Sequence, residues 1–159
     1  MQRPAENNDF QAAHARLLID SFARLTGSPL PALSAGSDSP ARQLFLSPMA
    51  VVSHDTRPDP VFNYANLAAL GAFEMSWDEF TRLPSRRSVE PDASARRQAL
   101  MRQVTEQGYV SDYSGMRISS SGRRFLISGA TIWNLIDDAG VYRGQAAIFK
   151  VEGDHPPAA

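Results

Sequence analysis

The chain of 159 residues contains no cysteine. That single absence removes disulfides, thiolate metal sites, iron–sulfur clusters and cysteine nucleophiles. It also excludes any photochemistry that requires a flavin–cysteine adduct. An excess of one charge is missing too: sixteen basic residues against seventeen acidic ones leave a net charge of −1. No global field is then available to hold a polyanion, so nucleic-acid binding is not expected without a local patch. Long apolar runs are absent, and Met1 to Asp9 is polar throughout. Neither a membrane span nor a signal peptide is predicted, which points to the cytoplasm.

Motifs of common chemistry are equally scarce. The three histidines, His14, His54 and His155, show no H-x-H or H-x-x-x-H spacing, so no metal site is expected. No G-x-S-x-G elbow marks a nucleophilic serine, and the ten glycines are scattered rather than grouped into a phosphate-binding loop. His54 and Asp55 resemble a catalytic pair in writing. Adjacent residues of an extended segment point to opposite sides, however, and His54 reads as a surface histidine beside a turn.

What is present is an apolar fraction of 43% with 21% charged residues, enough for the core of one soluble domain. An N-x-x-Q pattern at Asn8 and Gln11 opens a first helix that ends at Gly27, with Leu17, Leu18, Ile19, Phe22 and Leu25 forming a broad apolar face. A Ser-, Pro- and Gly-rich connector follows as far as Pro48, broken by a short apolar island at Leu44, Phe45 and Leu46. Met49 to Ser53 and Val61 to Tyr64 read as strands joined by the turn text HDTRPDP. Asn66, or failing that Asn63, is expected to cap a helix through Phe73, because an Asn side chain accepts from the orphan N–H groups of a first turn. Ser76 and Glu79 form a capping box between Met75 and Phe80, and Pro84 closes that segment. Asp92 opens a surface helix through Gln107 with a narrow stripe of Leu100, Met101 and Val104. Tyr113 to Ser119, Arg124 to Ile136 and Val141 to Val151 then read as three antiparallel strands separated by SSSG and DDAG turns. In the long strand, strict alternation sets Phe125, Ile127, Gly129, Thr131 and Trp133 on one face.

These elements predict an α+β fold, a five-stranded antiparallel sheet with short helices on one face and the N-terminal helix free to cover the other. Residues 1–48 form the first helix and connector, 49–151 the domain proper, and 152–159 a frayed tail.

The stretches FNYANLAALGAFEMSWDEFTRLPSRRS, DYSGMRISSSGRRFLISGATIWNLID and GQAAIF carry a resemblance to the PAS-related MEKHLA domain family, spanning roughly residues 10 to 151. The resemblance implies the strand order 2-1-5-4-3 and a cavity between sheet and short helices where related sensors hold small ligands. It also suggests the stand-alone bacterial type, with a signal that leaves by contact with another molecule, and it transfers no catalytic residue. In haem-binding PAS sensors a histidine on the long helix typically holds the iron; none occurs from Asp92 to Gln107, which counts against that cofactor. The cofactor is left unassigned.

Within that expected topology, the ligand-binding candidates are Tyr64, Trp77, Phe80, Arg86, Phe125, Gly129, Trp133, Asn134 and Gln145. The aromatic residues would line the cavity, and Arg86, from the paired arginines of LPSRRS, would offer a guanidinium fork to an anion. Gly129 would mark a bulge or room for a guest, and the two amides would find partners in a ligand. The expected function is a small-molecule sensor acting through a protein partner, or through a homodimer built on Leu18 and Phe22 of the first helix. A small enzyme using the same pocket, or a ligand-free interaction domain, is the rival reading.

Overall fold

The computed structural model describes residues 1–36, 38–89 and 94–155. Its helices are α1 (Ala12–Thr26), α2 (Pro40–Leu46), α3 (Leu67–Phe73), α4 (Trp77–Phe80) and α5 (Ser94–Gln107), with 3-10 turns at Glu6–Asn8 and Ser85–Ser88. The strands are β1 (Ala50–His54), β2 (Phe62–Ala65), β3 (Tyr109–Ile118), β4 (Arg124–Ile136) and β5 (Tyr142–His155). They form one five-stranded antiparallel sheet in the order β2-β1-β5-β4-β3. This is the predicted architecture and strand order.

Local signals place several elements as expected. Asn66 is fully buried and caps α3: its Oδ1 accepts from Ala69 N at 3.1 Å and Val51 N at 3.0 Å. Its Nδ2 donates to Leu44 O and Met49 O, at 3.0 and 2.8 Å. One side chain therefore ties α2, β1 and α3 together, and every polar valence it needs is met. The Ser76–Glu79 capping box is present on α4. By contrast, Asn8 does not cap α1. Its Oδ1 accepts from Ala5 N and Gln11 N, holding the preceding 3-10 turn, and α1 begins only after three left-handed residues, Asp9, Phe10 and Gln11. The connector is also more ordered than its composition suggests, since its apolar island lies in α2 with Leu44 and Phe45 buried. Strand β5 continues to His155, so residues 152–155 belong to the sheet, and residues 156–159 lie outside the described ones. Asp92, the expected start of α5, lies outside them as well.

The largest departure concerns β4. Its pairing passes from Ser128↔Lys150 to Thr131↔Ile148, three steps on β4 against two on β5, so one residue is extra. Gly129, at φ +56°, sits at this bulge and is exposed with nothing near its missing Cβ. Because side chains alternate with a period of two, one extra residue transfers every later side chain to the other face. Phe125 and Ile127 thus share a face with Ile132 and Asn134, whereas Trp133 and Leu135 face the opposite way. The expected common face of Phe125 and Trp133 does not exist.

The two faces have different covers. Helix α1 packs on the face of Trp133: Phe22 meets the indole edge to face at 5.0 Å, and the indole N–H donates to Leu18 O at 3.2 Å. Leu18 and Phe22 are therefore buried inside the chain itself, which removes them from any exposed dimer surface. The other face carries the short helices and α5.

Candidate functional site

On that second face the register brings Val52 and His54 of β1 alongside Ala147 and Gln145 of β5, and these alongside Ile132 and Asn134 of β4. Close approach of β1 and β5 is permitted by Gly144, whose Cβ would stand 2.0 Å from the His54 carbonyl oxygen. Above these strands lie Phe73 of α3, the 3-10 turn with Ser85 and Ser88, Val89, and Leu100 and Met101 of α5. Between floor and roof a hollow with a cavity volume of about 70 Å³ is not filled by atoms. Its walls are mainly apolar. Phe62 and Phe73 close one side, backed by Phe80, which stacks on Phe62 at 4.2 Å, and by Phe125, which meets Phe73 at 5.1 Å.

Three polar side chains give the hollow its chemistry. Gln145 is 5% exposed and its Nε2 donates to Asn134 Oδ1 at 3.1 Å. The amide orientations follow from one fixed group: the Val104 carbonyl can only accept, so Asn134 must present Nδ2 to it, at 3.1 Å, and Oδ1 to Gln145. Gln145 Oε1 is left buried with no donor among the described residues. His54 is buried beside Gln145, and its Nδ1–H donates to Asp55 O at 2.8 Å, which leaves Nε2 as the acceptor nitrogen. Arg117 of β3 is 9% exposed and donates from Nη1 to Met116 O at 2.9 Å. Among the described residues, no aspartate or glutamate lines the hollow, and Arg117 is the only lysine or arginine that does.

Of the nine residues nominated from the sequence, only Gln145 lines this hollow, and Asn134 holds it in place. Phe80 and Phe125 stand behind the aromatic wall. Gly129 makes the bulge and does not line the hollow. Arg86 is exposed at the surface, with Nε 3.1 Å from Asp59, because its position in the 3-10 turn directs it outward. Trp133 belongs to the α1 face. Tyr64 pairs with Ser53 and turns away from the hollow, against His14 at 5.5 Å and Trp77 at 5.9 Å. Burial pushes the Tyr64 phenol above its usual range, and its hydroxyl finds no partner among the described residues.

Sequence reasoning passed over His54 and Arg117. His54 is not a surface residue, because the strand continues one position further than expected and turns its ring inward. Arg117 carried a signal that went unused: in the alternation of β3 it falls on the same face as Tyr113, a position that a solvated arginine would not need to occupy.

Beside Tyr64 a second polar chain runs from His14 Nε2 to Ser53 Oγ at 2.9 Å and on to Asn63 Oδ1 at 2.5 Å. Ser53 gives its proton to Asn63, so His14 must donate to Ser53 and cannot serve as its base. The pair is structural. Among the described residues, no group of three metal-ligating side chains is gathered, and no helix is long and apolar enough to cross a membrane.

The profile of the MEKHLA domain matches residues 12–152. The chain belongs to the MEKHLA domain family. A further relative is the homeobox-leucine zipper protein ATHB-9 of Arabidopsis thaliana, 27% identical over 128 residues. That alignment takes in 77% of this chain but only 15% of the plant protein. Among solved structures, the PAS domain of a Colwellia psychrerythraea protein superposes with a TM-score of 0.60 at 14% identity, covering 69% of this chain and 91% of its own. The photo-excited blue-light photoreceptor Vivid gives 0.57 at 17% identity, over 83% of this MEKHLA chain and 92% of Vivid. A light-oxygen-voltage domain gives 0.57 at 18%, over 66% and 78%. These likenesses show a PAS-type fold for the MEKHLA domain.

Proposed function

We propose that this MEKHLA domain is a cytoplasmic sensory module that encloses a small organic molecule between sheet and helices and passes its state to a protein partner. The observation that carries this reading is the contrast inside the hollow: apolar walls surround a buried amide oxygen that no described residue satisfies. An unpaired buried acceptor costs about 1–3 kcal/mol. A guest with an N–H or O–H donor would recover that free energy, which supports binding as the role of the space. Part of the roof, the 3-10 turn Ser85–Ser88 with Val89, is a short segment tied to its neighbours by single bridges, and weakly tied segments open at least cost when a ligand enters. Contact with a partner, or with a second copy through the outward side of α1, would then carry the change.

Native mass spectrometry of the purified chain, with its absorbance spectrum, tests the reading. A bound mass or a chromophore, lost in a variant with Gln145→Leu, supports it. Bare protein that consumes candidate metabolites would favour catalysis in the same space. Bare protein without turnover would favour a pure interaction domain.

A further inference from the structure

We propose that the guest of the hollow is a monocarboxylate whose largely apolar body bears one N–H or O–H donor for Gln145 Oε1, and that Arg117 is the residue that holds its charge. This rests on the reading above that the hollow takes a ligand, and it names the ligand's class. Arg117 is more than nine-tenths buried and lines the hollow, yet the structure gives it no carboxylate partner among the described residues. Its contacts are one bond from Nη1 to the neighbouring Met116 carbonyl and the ring of Tyr113, 5.6 Å from the guanidinium carbon. A guanidinium has five N–H donors in a planar fork and cannot shed its proton, so most of its donor capacity remains open. Removing a cation from water without an opposing charge is costly, and an anion brought in by the ligand would offset that cost.

The lining residues limit which anion suits the site. With one guanidinium and no second lysine or arginine among the described lining residues, the hollow balances a single negative charge. A phosphate ester would bring a second charge that nothing here answers, whereas one carboxylate matches one fork in charge and in geometry. Ser88 does not add a donor, because its Oγ–H is already given to Ser85 O at 2.7 Å. The remainder of the wall, including Ile127, Ile132, Leu100, Met101 and Phe149, asks for hydrocarbon. Arg117 is also held in position from two sides. It pairs with Phe125 in the sheet, and Val89 of the roof forms a bridge to it.

The test compares octanoate with octanamide by isothermal titration of the full chain, together with the ¹H–¹⁵N signal of the Arg117 Nε–H. Octanoate should bind about tenfold or more tightly than octanamide, as expected for hydrogen bonds to a charged group, and should displace the Arg117 signal. Arg117→Met should abolish that preference while octanamide binding is unchanged, and Arg117→Lys should restore part of it. Equal affinity for acid and amide in the wild-type chain overturns the anchor but leaves the hollow as a binding site. Absence of binding by both, with bare protein in native mass spectrometry, overturns the underlying reading as well. If Arg117→Met does not fold, the wild-type preference and the Arg117→Lys variant decide.

Discussion

On the α1 side of the sheet, Trp133 is fully buried, is met edge to face by Phe22, and has its one donor satisfied by Leu18. On the other side, a few residues away, Gln145 is also buried and has an oxygen with no donor among the described residues. One sheet thus carries a surface filled by its own chain and a surface left unfilled. The lesson is that burial alone does not separate core from site. What separates them is whether the space between sheet and cover is taken.

The contrast can be broken by mutation, and the largest effect is expected at Trp133. Trp133→Ala removes a tightly packed ring and should lower stability by about 4 kcal/mol in denaturant titrations. A loss below about 1 kcal/mol would show that the α1 face is as loosely filled as the other.

Next in size is a pH effect from the same face. Burial and the charge of the N-terminus push the His14 pKa from 6.5 down to about 4. Between those values the unfolded chain takes up a proton that the folded chain refuses. Stability should therefore fall as the pH drops through this window, by about 3 kcal/mol at most, and level off below it. His14→Gln should flatten the curve between pH 6.5 and 4; a curve unchanged by the substitution would remove His14 from the packed face.

Gly129→Ala probes the hinge between the two surfaces. At φ +56° and with open space around it, the added methyl meets only backbone strain, so a loss of about 1 kcal/mol is expected. A much greater loss would mean that the bulge itself is packed against something. The smallest effect should come from the unfilled side. Gln145→Leu removes an unsatisfied oxygen together with one bond to Asn134, and the two changes should nearly cancel, leaving stability within about 1 kcal/mol of the parent. A loss comparable to that of Trp133→Ala would erase the distinction between the faces.

How far the chain could be read in advance follows the range of each interaction. The Asn66 cap and the Ser76–Glu79 box were legible because the atoms concerned lie within three residues of one another. The strand order was available from the family resemblance. The site was mostly illegible, because which residues face the hollow depends on register, and register depends on one residue. Strict alternation from Phe125 leads to Trp133; the bulge at Gly129 redirects that series to Ile132 and Asn134. A glycine in a strand was recognised as a bulge or as room for a ligand, but its effect on every later position was not followed through. Arg86 was nominated for its motif and Arg117 was overlooked, although only the second is buried.

The 3-10 turn Ser85–Ser88 that roofs the hollow is moored to the sheet by two single bridges, Val61 to Pro84 at one end and Val89 to Arg117 at the other. The second mooring is made to the backbone of Arg117, whose side chain lines the hollow. A pull on that guanidinium by a ligand would reach the covering segment through one Cα, with no relay in between. Under the proposed binding, occupancy and the position of the cover would be one mechanical event, and a label on the exposed Arg87 would report both.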